Sequence, residues 1–329
     1  MKLTCTLGAL ALTTALAAPA LAQDAIEIKY TTASVPSDLH TRAMQVFKDE
    51  LEAKVPGRFD VQLYDSGSLF GQGADLDALQ RGNAEMTYLS FQLIADAIPE
   101  FSLLTAGYLF QNPDHYRAFL ASDIGAEFKA KVSDEMDVQL LDTCYLGTRQ
   151  LNLRKARDVQ TPADLDGVKL RMPGSDAWLF LGSALGAAPT PLPFGEVYLA
   201  LQTGTIDAQD NPLPTVEAAK FYEVTEQIVL TNHLVDGINI AISNETWDQL
   251  SDDEKSAVTE AAVASCDWNN AERVANEDRL VDFFKSEGLQ VTEPDLAAFR
   301  EHVQGAYFNS ERAEAWPEGW VEQINAMAK

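Results

Sequence analysis

The order of periodic segments near the N-terminus is the feature that most constrains the fold. Apolar residues alternate with polar ones over residues 26–30, as in a strand, and then recur at helical spacing over residues 39–55. A second alternating segment at residues 59–63 is followed by ADLDALQRG, which is typical of a short helix. Because strand, helix, strand, helix is the order of a parallel α/β sheet, the sequence predicts the α/β class.

A short strand that carries an arginine is predicted at residues 168–172. Apolar residues there alternate with Lys169 and Arg171, and Pro173 and Gly174 end the strand. An arginine held on rigid backbone beside a turn is well suited to bind an anion, because its guanidinium presents several N–H donors in a fixed plane. Arg171 is therefore the first candidate ligand-binding residue.

Two further polar side chains are predicted at strand ends. An apolar strand at residues 138–147 ends just before Arg149, and a return strand at residues 206–212 carries Asn211. Open α/β sheets bind ligands at the carboxyl ends of their strands. This rule predicts that Asn211 and Arg171 face the same space, whereas Arg149 taken alone is typical of a surface arginine.

The first 22 residues predict a secretory signal peptide. Lys2 precedes an apolar run over residues 7–21, and the ALA sequence at residues 20–22 is a small-x-small cleavage site. A membrane anchor is disfavoured because the run is short for a bilayer span. Cleavage would begin the mature chain near Gln23, so we expect a soluble protein in the periplasm.

The charge of the chain limits its partners. The 329 residues carry a formal net charge of −26, which makes nucleic acid or an anionic membrane surface a poor partner. An acidic protein that binds an anion must shield its arginines inside a cleft. The hydrophobic content of 46% is enough for two compact lobes.

Cysteine and histidine give no sign of a metal or cofactor. Cys144 and Cys266, the cysteines beyond the signal peptide, fit no metal motif, and nothing in the sequence brings them together. They would be able to pair in an oxidising compartment, but two buried free thiols are the expectation. The four histidines are scattered and form no HExxH motif, so no zinc site is expected.

The loop after the second predicted strand contains GQGADL at residues 71–76. It lacks the third glycine of a dinucleotide-binding motif, so we interpret it as a loop at the rim of a cleft in which Gln72 contacts a ligand. Tyr88, Ser90 and Phe91 follow on the next strand and are further candidate contacts, although aromatic residues there are more often in the core. A secreted hydrolase is disfavoured because the sequence has no GxSxG motif.

Several motifs resemble those of the periplasmic solute-binding proteins of tripartite ATP-independent periplasmic (TRAP) transporters, the DctP family. They are GTRQ (147–150), LRMPG (170–174), GAAPTPLPFGEVYLALQTG (186–204), QDNP (209–212) and KFYEV (220–224). TNH (231–233) and SNETW (243–247) are most similar to the sialic-acid-binding branch. The resemblance implies a two-lobed Venus-flytrap fold with a hinge, which closes on a small organic anion and delivers it to the membrane permease.

The resemblance also assigns roles to individual residues. Arg171 matches the family's principal arginine, which pairs with the carboxylate of the ligand, and Arg149 matches a second arginine of the sialate-type branch. Asn211 matches the amide that completes the anion site, and Phe194 the aromatic residue that packs on the ligand. Together they imply an anchor for one anionic group.

The sequence departs from the sialate-type branch where the rest of the ligand would lie. The first-lobe positions that supply carboxylates there fall at residues 71–73 and 89–91, and neither place has an acid. Trp178, for which core packing is an equal alternative, would make a more apolar or smaller pocket together with Phe91 and Tyr88. We therefore expect a sugar acid such as a uronate, or a short hydroxy or oxo acid, with a small sulfonate, a dicarboxylate or a receptor-coupled sensor as alternatives.

A long helix is predicted near the C-terminus. Ser251 and Glu254 form a capping box, and an amphipathic pattern continues to about residue 285, which suits a brace across both lobes. The predicted first lobe comprises residues 23–147 and 237–276. The predicted second lobe comprises residues 148–236 and 277–329, and the protein is expected to be a monomer.

Overall fold

The computed structural model describes residues 25–328, apart from the side chain of Asp278, so the predicted signal peptide lies outside the described residues. The strands are β1 (Ile26–Thr31), β2 (Phe59–Tyr64), β3 (Met86–Ser90), β4 (Val138–Leu153), β5 (Lys169–Met172), β6 (Ala188–Pro191), β7 (Ala208–Pro212), β8 (Gln227–Ser243) and β9 (Gln290–Thr292). The helices are α1 (Leu39–Lys54), α2 (Asp75–Gln80), α3 (Phe91–Ala97), α4 (Pro113–Leu120), α5 (Asp123–Met136), α6 (Asp176–Ala184), α7 (Val197–Thr203), α8 (Leu213–Ala218), α9 (Asn244–Asp248), α10 (Asp252–Ser286), α11 (Leu296–Phe308) and α12 (Trp320–Ala326).

The strands form one sheet in the order β2-β1-β3-β8-β4-β7-β5-β6, with β9 paired to β8. The first lobe is built on β1, β2 and β3, which are parallel to one another. The second lobe is built on β5, β6 and β7, which are also parallel to one another. The long antiparallel strands β4 and β8 run through both lobes. The predicted α/β class and two-lobed architecture are confirmed.

The register between β4 and β8 shifts in the middle of their pairing. One shift lies between Tyr145 and Gly147, where Gly147 is opposite Asp236. Gly147 has φ +125°, and a Cβ atom at this position would lie 2.4 Å from the Cβ atom of Pro212. Only glycine meets both conditions, so the backbone is able to change direction where it passes from one lobe to the other. The predicted lobe boundaries at 147/148 and 236/237 fall at this point, and they stay a prediction.

Helix α10 crosses both lobes as one continuous helix of 35 residues. Its predicted capping box is present, since Ser251 and Glu254 each accept a hydrogen bond from the other's backbone N–H. The helix packs against α1 on the first lobe and against α8 and β9 on the second. None of the helices in the part of the chain that the structure describes is long and apolar enough to cross a bilayer.

Cys144 and Cys266 form a disulfide bond, so the expectation of two free thiols is wrong. Cys144 lies on β4 and Cys266 on α10, and the packing of the helix along the strand brings their Cα atoms within 4.6 Å. This distance is within the range that a disulfide spans. The pairing depends on a tertiary contact between residues 122 positions apart, which no local pattern encodes.

Candidate functional site

A cavity of about 130 Å³ lies between the two lobes, beside the crossover of β4 and β8. Of the nine candidate residues from the sequence, eight line it: Gln72, Tyr88, Ser90, Arg149, Arg171, Trp178, Phe194 and Asn211. Four come from strand ends or the loops that follow strands, as the rule for open α/β sheets predicts. The fold thus brings together side chains that are up to about 140 positions apart in the sequence.

Arg171 is a buried cation without a carboxylate partner among residues 25–328. Its Nε donates a 2.8 Å hydrogen bond to the carbonyl oxygen of Leu192, and its Nη2 donates a 2.6 Å bond to Oε1 of Gln72. The pKa of the guanidinium is lowered to about 9, mainly by burial. The charge of Asp210 opposes this decrease, and the charge of Arg149 adds to it. Arg171 is still protonated at neutral pH, so the cavity holds a charge that an anion is able to neutralise.

Gln72 links the two lobes at this arginine. Its Oε1 accepts hydrogen bonds from Nη2 of Arg171 and from the backbone N–H of Phe194, the latter at 3.0 Å. The ring of Phe194 has its centroid 5.9 Å from Cζ of Arg171. Gln72 lies in the loop before α2, whereas Arg171 and Phe194 lie on β5 and in the turn before α7. The three residues therefore hold the first lobe against the second.

Arg149 differs from Arg171 because its charge is matched within the protein. Its Nε donates a 2.7 Å hydrogen bond to Oδ2 of Asp236, and its Nη1 lies 3.4 Å from Oδ2 of Asp210. Burial lowers the pKa of Arg149, but the two carboxylates outweigh this effect and the net shift is upward. The indole of Trp178 lies 4.3 Å from Cζ of Arg149, so Trp178 both lines the cavity and packs on the guanidinium.

Asn211 is held by the same cluster. Its Oδ1 accepts a 3.3 Å hydrogen bond from Nη1 of Arg149, and its Nδ2 donates to Oε1 of Gln209 at 2.6 Å. β4 and β7 pair so that Gln150 is opposite Asn211, which sets Asn211 beside Arg149. The amide is thus oriented by neighbours on two strands.

Two buried acids around Arg149 are absent from the residues predicted from the sequence. Asp210 and Asp236 are fully buried or nearly so, and Nε2 of His233 lies 3.1 Å from Oδ2 of Asp210. Burial raises the pKa of Asp210, but Arg149 and His233 outweigh it and the net shift is downward. Burial dominates for Asp236, whose pKa is raised. The QDNP motif contains Asp210 next to Asn211 and was a usable signal, whereas no local pattern distinguishes Asp236 from a surface acid.

Phe91 does not line the cavity. Tyr88 and Ser90 do, but the side chain of Phe91 stacks on Phe128 at 5.3 Å between ring centroids and contacts Tyr116 in the core. Neighbouring side chains at the end of a strand point to opposite faces, so Ser90 and Phe91 cannot both reach the ligand side. Oγ of Ser90 caps α3 by accepting a 3.2 Å hydrogen bond from the backbone N–H of Leu93.

The wall from the first lobe is more polar than the sequence predicted. His40 and Asp75 line the cavity together with Tyr88, whose hydroxyl donates a 2.8 Å hydrogen bond to the carbonyl oxygen of His40. The two places that the family pattern marks, residues 71–73 and 89–91, hold no acid, but Asp75 adds one to this wall from outside them. Asp75 lies just beyond residues 71–73, and the start of α2 places it at the cavity.

Comparisons with known proteins identify the family of the chain. Residues 31–313 match the family described as bacterial extracellular solute-binding protein, family 7 (DctP). The chain is 35% identical over 292 residues to the sialic acid-binding periplasmic protein SiaP of Vibrio cholerae, covering 89% of this chain and 90% of that protein.

Two crystal structures of TRAP periplasmic solute-binding proteins from Roseobacter denitrificans are similar to the whole described fold. One, with bound 3-deoxy-D-manno-oct-2-ulosonic acid (KDO), is 44% identical with a TM-score of 0.89 and covers 93% of this chain and 100% of that one. The other, with bound L-galactonate, is 28% identical with a TM-score of 0.83 and covers 92% and 98%. The chain belongs to the DctP family of TRAP-transporter solute-binding proteins.

Proposed function

We propose that this protein captures a sugar acid in the periplasm through a salt bridge to Arg171 and delivers it to a TRAP permease. The observation that carries the proposal is the buried Arg171 guanidinium, which faces the cavity without a carboxylate partner among the described residues. A carboxylate has two oxygens at the spacing of two guanidinium N–H groups, so it is the anion that fits this fork best.

The unpaired charge of Arg171 would favour closure of the two lobes around an anion. Burying an ion without a partner costs several kcal/mol, so a closed and empty site is disfavoured relative to a closed site that holds an anion. A ligand that binds the closed form better shifts the population of the protein toward it. Gln72 would contribute to the same closure, because it bonds the second lobe through Arg171 and Phe194.

Two observations favour a sugar acid over smaller acids. The cavity is lined by the aromatic side chains of Phe194 and Trp178 and by polar side chains of the first lobe, among them Ser90 and Asp75. Aromatic faces pack on the C–H face of a sugar, and polar groups bond its hydroxyls. The relative with 44% identity was solved with KDO and the relative with 28% identity with L-galactonate.

The test is a binding measurement with defined acids. Purified protein is titrated calorimetrically with KDO, L-galactonate, succinate and taurine, which cover the sugar-acid, dicarboxylate and sulfonate alternatives. We expect KDO or L-galactonate to bind most tightly. Arg171→Ala should lower that affinity by roughly 150–4,000-fold, since losing one partner of a buried pair costs about 3–5 kcal/mol. Arg81→Ala removes an exposed arginine and serves as the control.

Two results would contradict the proposal. Equal affinity of wild type and Arg171→Ala for the sugar acid would remove the arginine anchor. Tighter binding of succinate or taurine than of either sugar acid would instead keep the anchor and change the ligand class.

A further inference from the structure

We infer that Asp75 selects the ligand class: its carboxylate accepts a hydroxyl of a bound monocarboxylate sugar acid and repels a second carboxylate. This inference deepens the proposed function and rests on it. It assigns a first-lobe residue of the cavity wall a role in choosing among acids that all satisfy Arg171.

Asp75 has the position that this role requires. It opens α2, three residues beyond Gln72, which bonds Arg171. It lines the same cavity as Arg171 and has only 9% of its surface exposed. Its Oδ1 accepts a 3.2 Å hydrogen bond from the backbone N–H of Gly73. Asp75 is thus a buried carboxylate at the cavity wall.

Asp75 also lacks the cation that the other buried acids near the cavity have. Asp236 and Asp210 are held by Arg149, and Asp38 is held by Arg273. Within residues 25–328, no lysine, arginine or histidine forms an ion pair with Asp75, and burial raises the pKa of its carboxyl. Its charge is therefore left to be satisfied by backbone N–H groups and by whatever enters the cavity.

The cavity thus presents one open cation, Arg171, and one open anion, Asp75. A ligand with a carboxylate at one end and a hydroxyl at the other satisfies both. A second carboxylate in place of the hydroxyl finds no cation at Asp75 and is repelled by it. An apolar end gives the buried carboxylate no donor beyond the backbone N–H groups that it already has, which is less favourable than a hydroxyl. Both effects favour hydroxylated monocarboxylates over dicarboxylates.

The experiment compares two acids that differ at one end. L-galactonate and galactarate share a six-carbon hydroxylated chain, but galactarate carries a second carboxylate in place of the terminal CH₂OH. We expect wild type to prefer L-galactonate at least tenfold. Asp75→Asn should weaken binding of L-galactonate and KDO by about ten- to a hundredfold and reduce the preference over galactarate to less than threefold.

Two further variants keep the test decisive. Asp77→Asn removes an exposed acid from the same helix and should change neither affinity nor preference. Asp75→Ser keeps a small acceptor without the charge, so it should also bind galactarate better relative to L-galactonate than wild type does. A change of preference cannot arise from general loss of folded protein, because both acids would be affected equally.

The outcomes separate this inference from the proposed function. Sugar-acid binding that needs Arg171 but is unchanged in affinity and preference by Asp75→Asn would overturn the role of Asp75 alone. Tighter binding of 6-aminohexanoate than of L-galactonate by wild type would show that Asp75 pairs with an ammonium group and would overturn the hydroxyl assignment. Failure of every sugar acid to bind wild type would overturn the proposed function, and this inference with it.

Discussion

The contact between Gln72 and Arg171 allows a substitution in the protein itself to compete with the ligand for Arg171. Oε1 of Gln72 lies 2.6 Å from Nη2 of Arg171, and Arg171 has no carboxylate partner among the described residues. Gln72→Glu replaces the amide by a carboxylate of nearly the same shape. The new carboxylate would form a buried salt bridge with Arg171 and compete with the carboxylate of the ligand.

The magnitude follows from the environment of the pair. Two unit charges about 4 Å apart attract by about 4 kcal/mol at the effective dielectric constant of a protein surface, and burial of the new carboxylate offsets part of this. A net gain of about 1.5–3 kcal/mol for the unliganded protein is reasonable for a charge-assisted hydrogen bond. We therefore expect sugar-acid affinity to fall by roughly 10–150-fold and the unliganded melting temperature to rise by roughly 2–5 °C.

The assay measures both quantities on one preparation. Calorimetric titration with the sugar acid gives the affinity, and scanning calorimetry without ligand gives the melting temperature. Gln202→Glu places the same change at an exposed position on α7 and serves as the control. Opposite signs for the two quantities would distinguish competition from damage to the fold.

A specific result would refute this reasoning. If Gln72→Glu lowers the unliganded melting temperature and the affinity together, the carboxylate does not pair with Arg171. Unchanged affinity would mean that the ligand does not use the guanidinium face that Gln72 contacts.

Two predictions concern stability. Replacing Cys144 and Cys266 by alanine removes a cross-link between residues 122 positions apart, which restricts the unfolded chain. The melting temperature in scanning calorimetry should therefore fall by roughly 5–8 °C. A fall of less than about 1 °C would contradict stabilisation by restriction of the unfolded chain. Burial raises the pKa of Asp38, but the charge of Arg273 outweighs burial and the net shift of the pKa is downward. Asp38 therefore stabilises the fold above its unfolded pKa of about 3.9, and this stabilisation is lost as the pH falls. In urea unfolding, Asp38→Asn should lower the free energy of unfolding by about 3–5 kcal/mol at pH 7 and by less at pH 3. An equal loss at both pH values would contradict the ion pair with Arg273.

Local patterns predicted the elements of this fold because their causes are local. Alternation of apolar residues gave β5 at Lys169–Met172, and the Ser251–Glu254 capping box gave the start of α10. Proline and glycine at 173 and 174 end β5, since proline cannot continue the hydrogen bonding of a strand. The family motifs then placed Arg149, Arg171 and Asn211 at one cavity.

Other features required tertiary contacts. The expectation for Phe91 failed because sequence proximity to Ser90 does not show which face a side chain takes where a strand meets a helix. The acid in the first-lobe wall is not evident from the motifs, because the start of α2 brings Asp75 into the cavity from outside the positions that the family pattern marks. The disulfide was missed because it depends on α10 lying along β4.

The sequence by itself determined the α/β class, the family and most of the candidate residues that line the cavity. These depend on periodicity and on short motifs, whose physical causes act within a few residues of one another. Only the tertiary structure decided which buried charges are matched. Arg149 and Arg171 look alike in sequence, but two acids from β7 and β8 neutralise Arg149 and no acid of the described residues pairs with Arg171. The balance of charge in the cavity depends on distances between strands, and local sequence does not encode those distances.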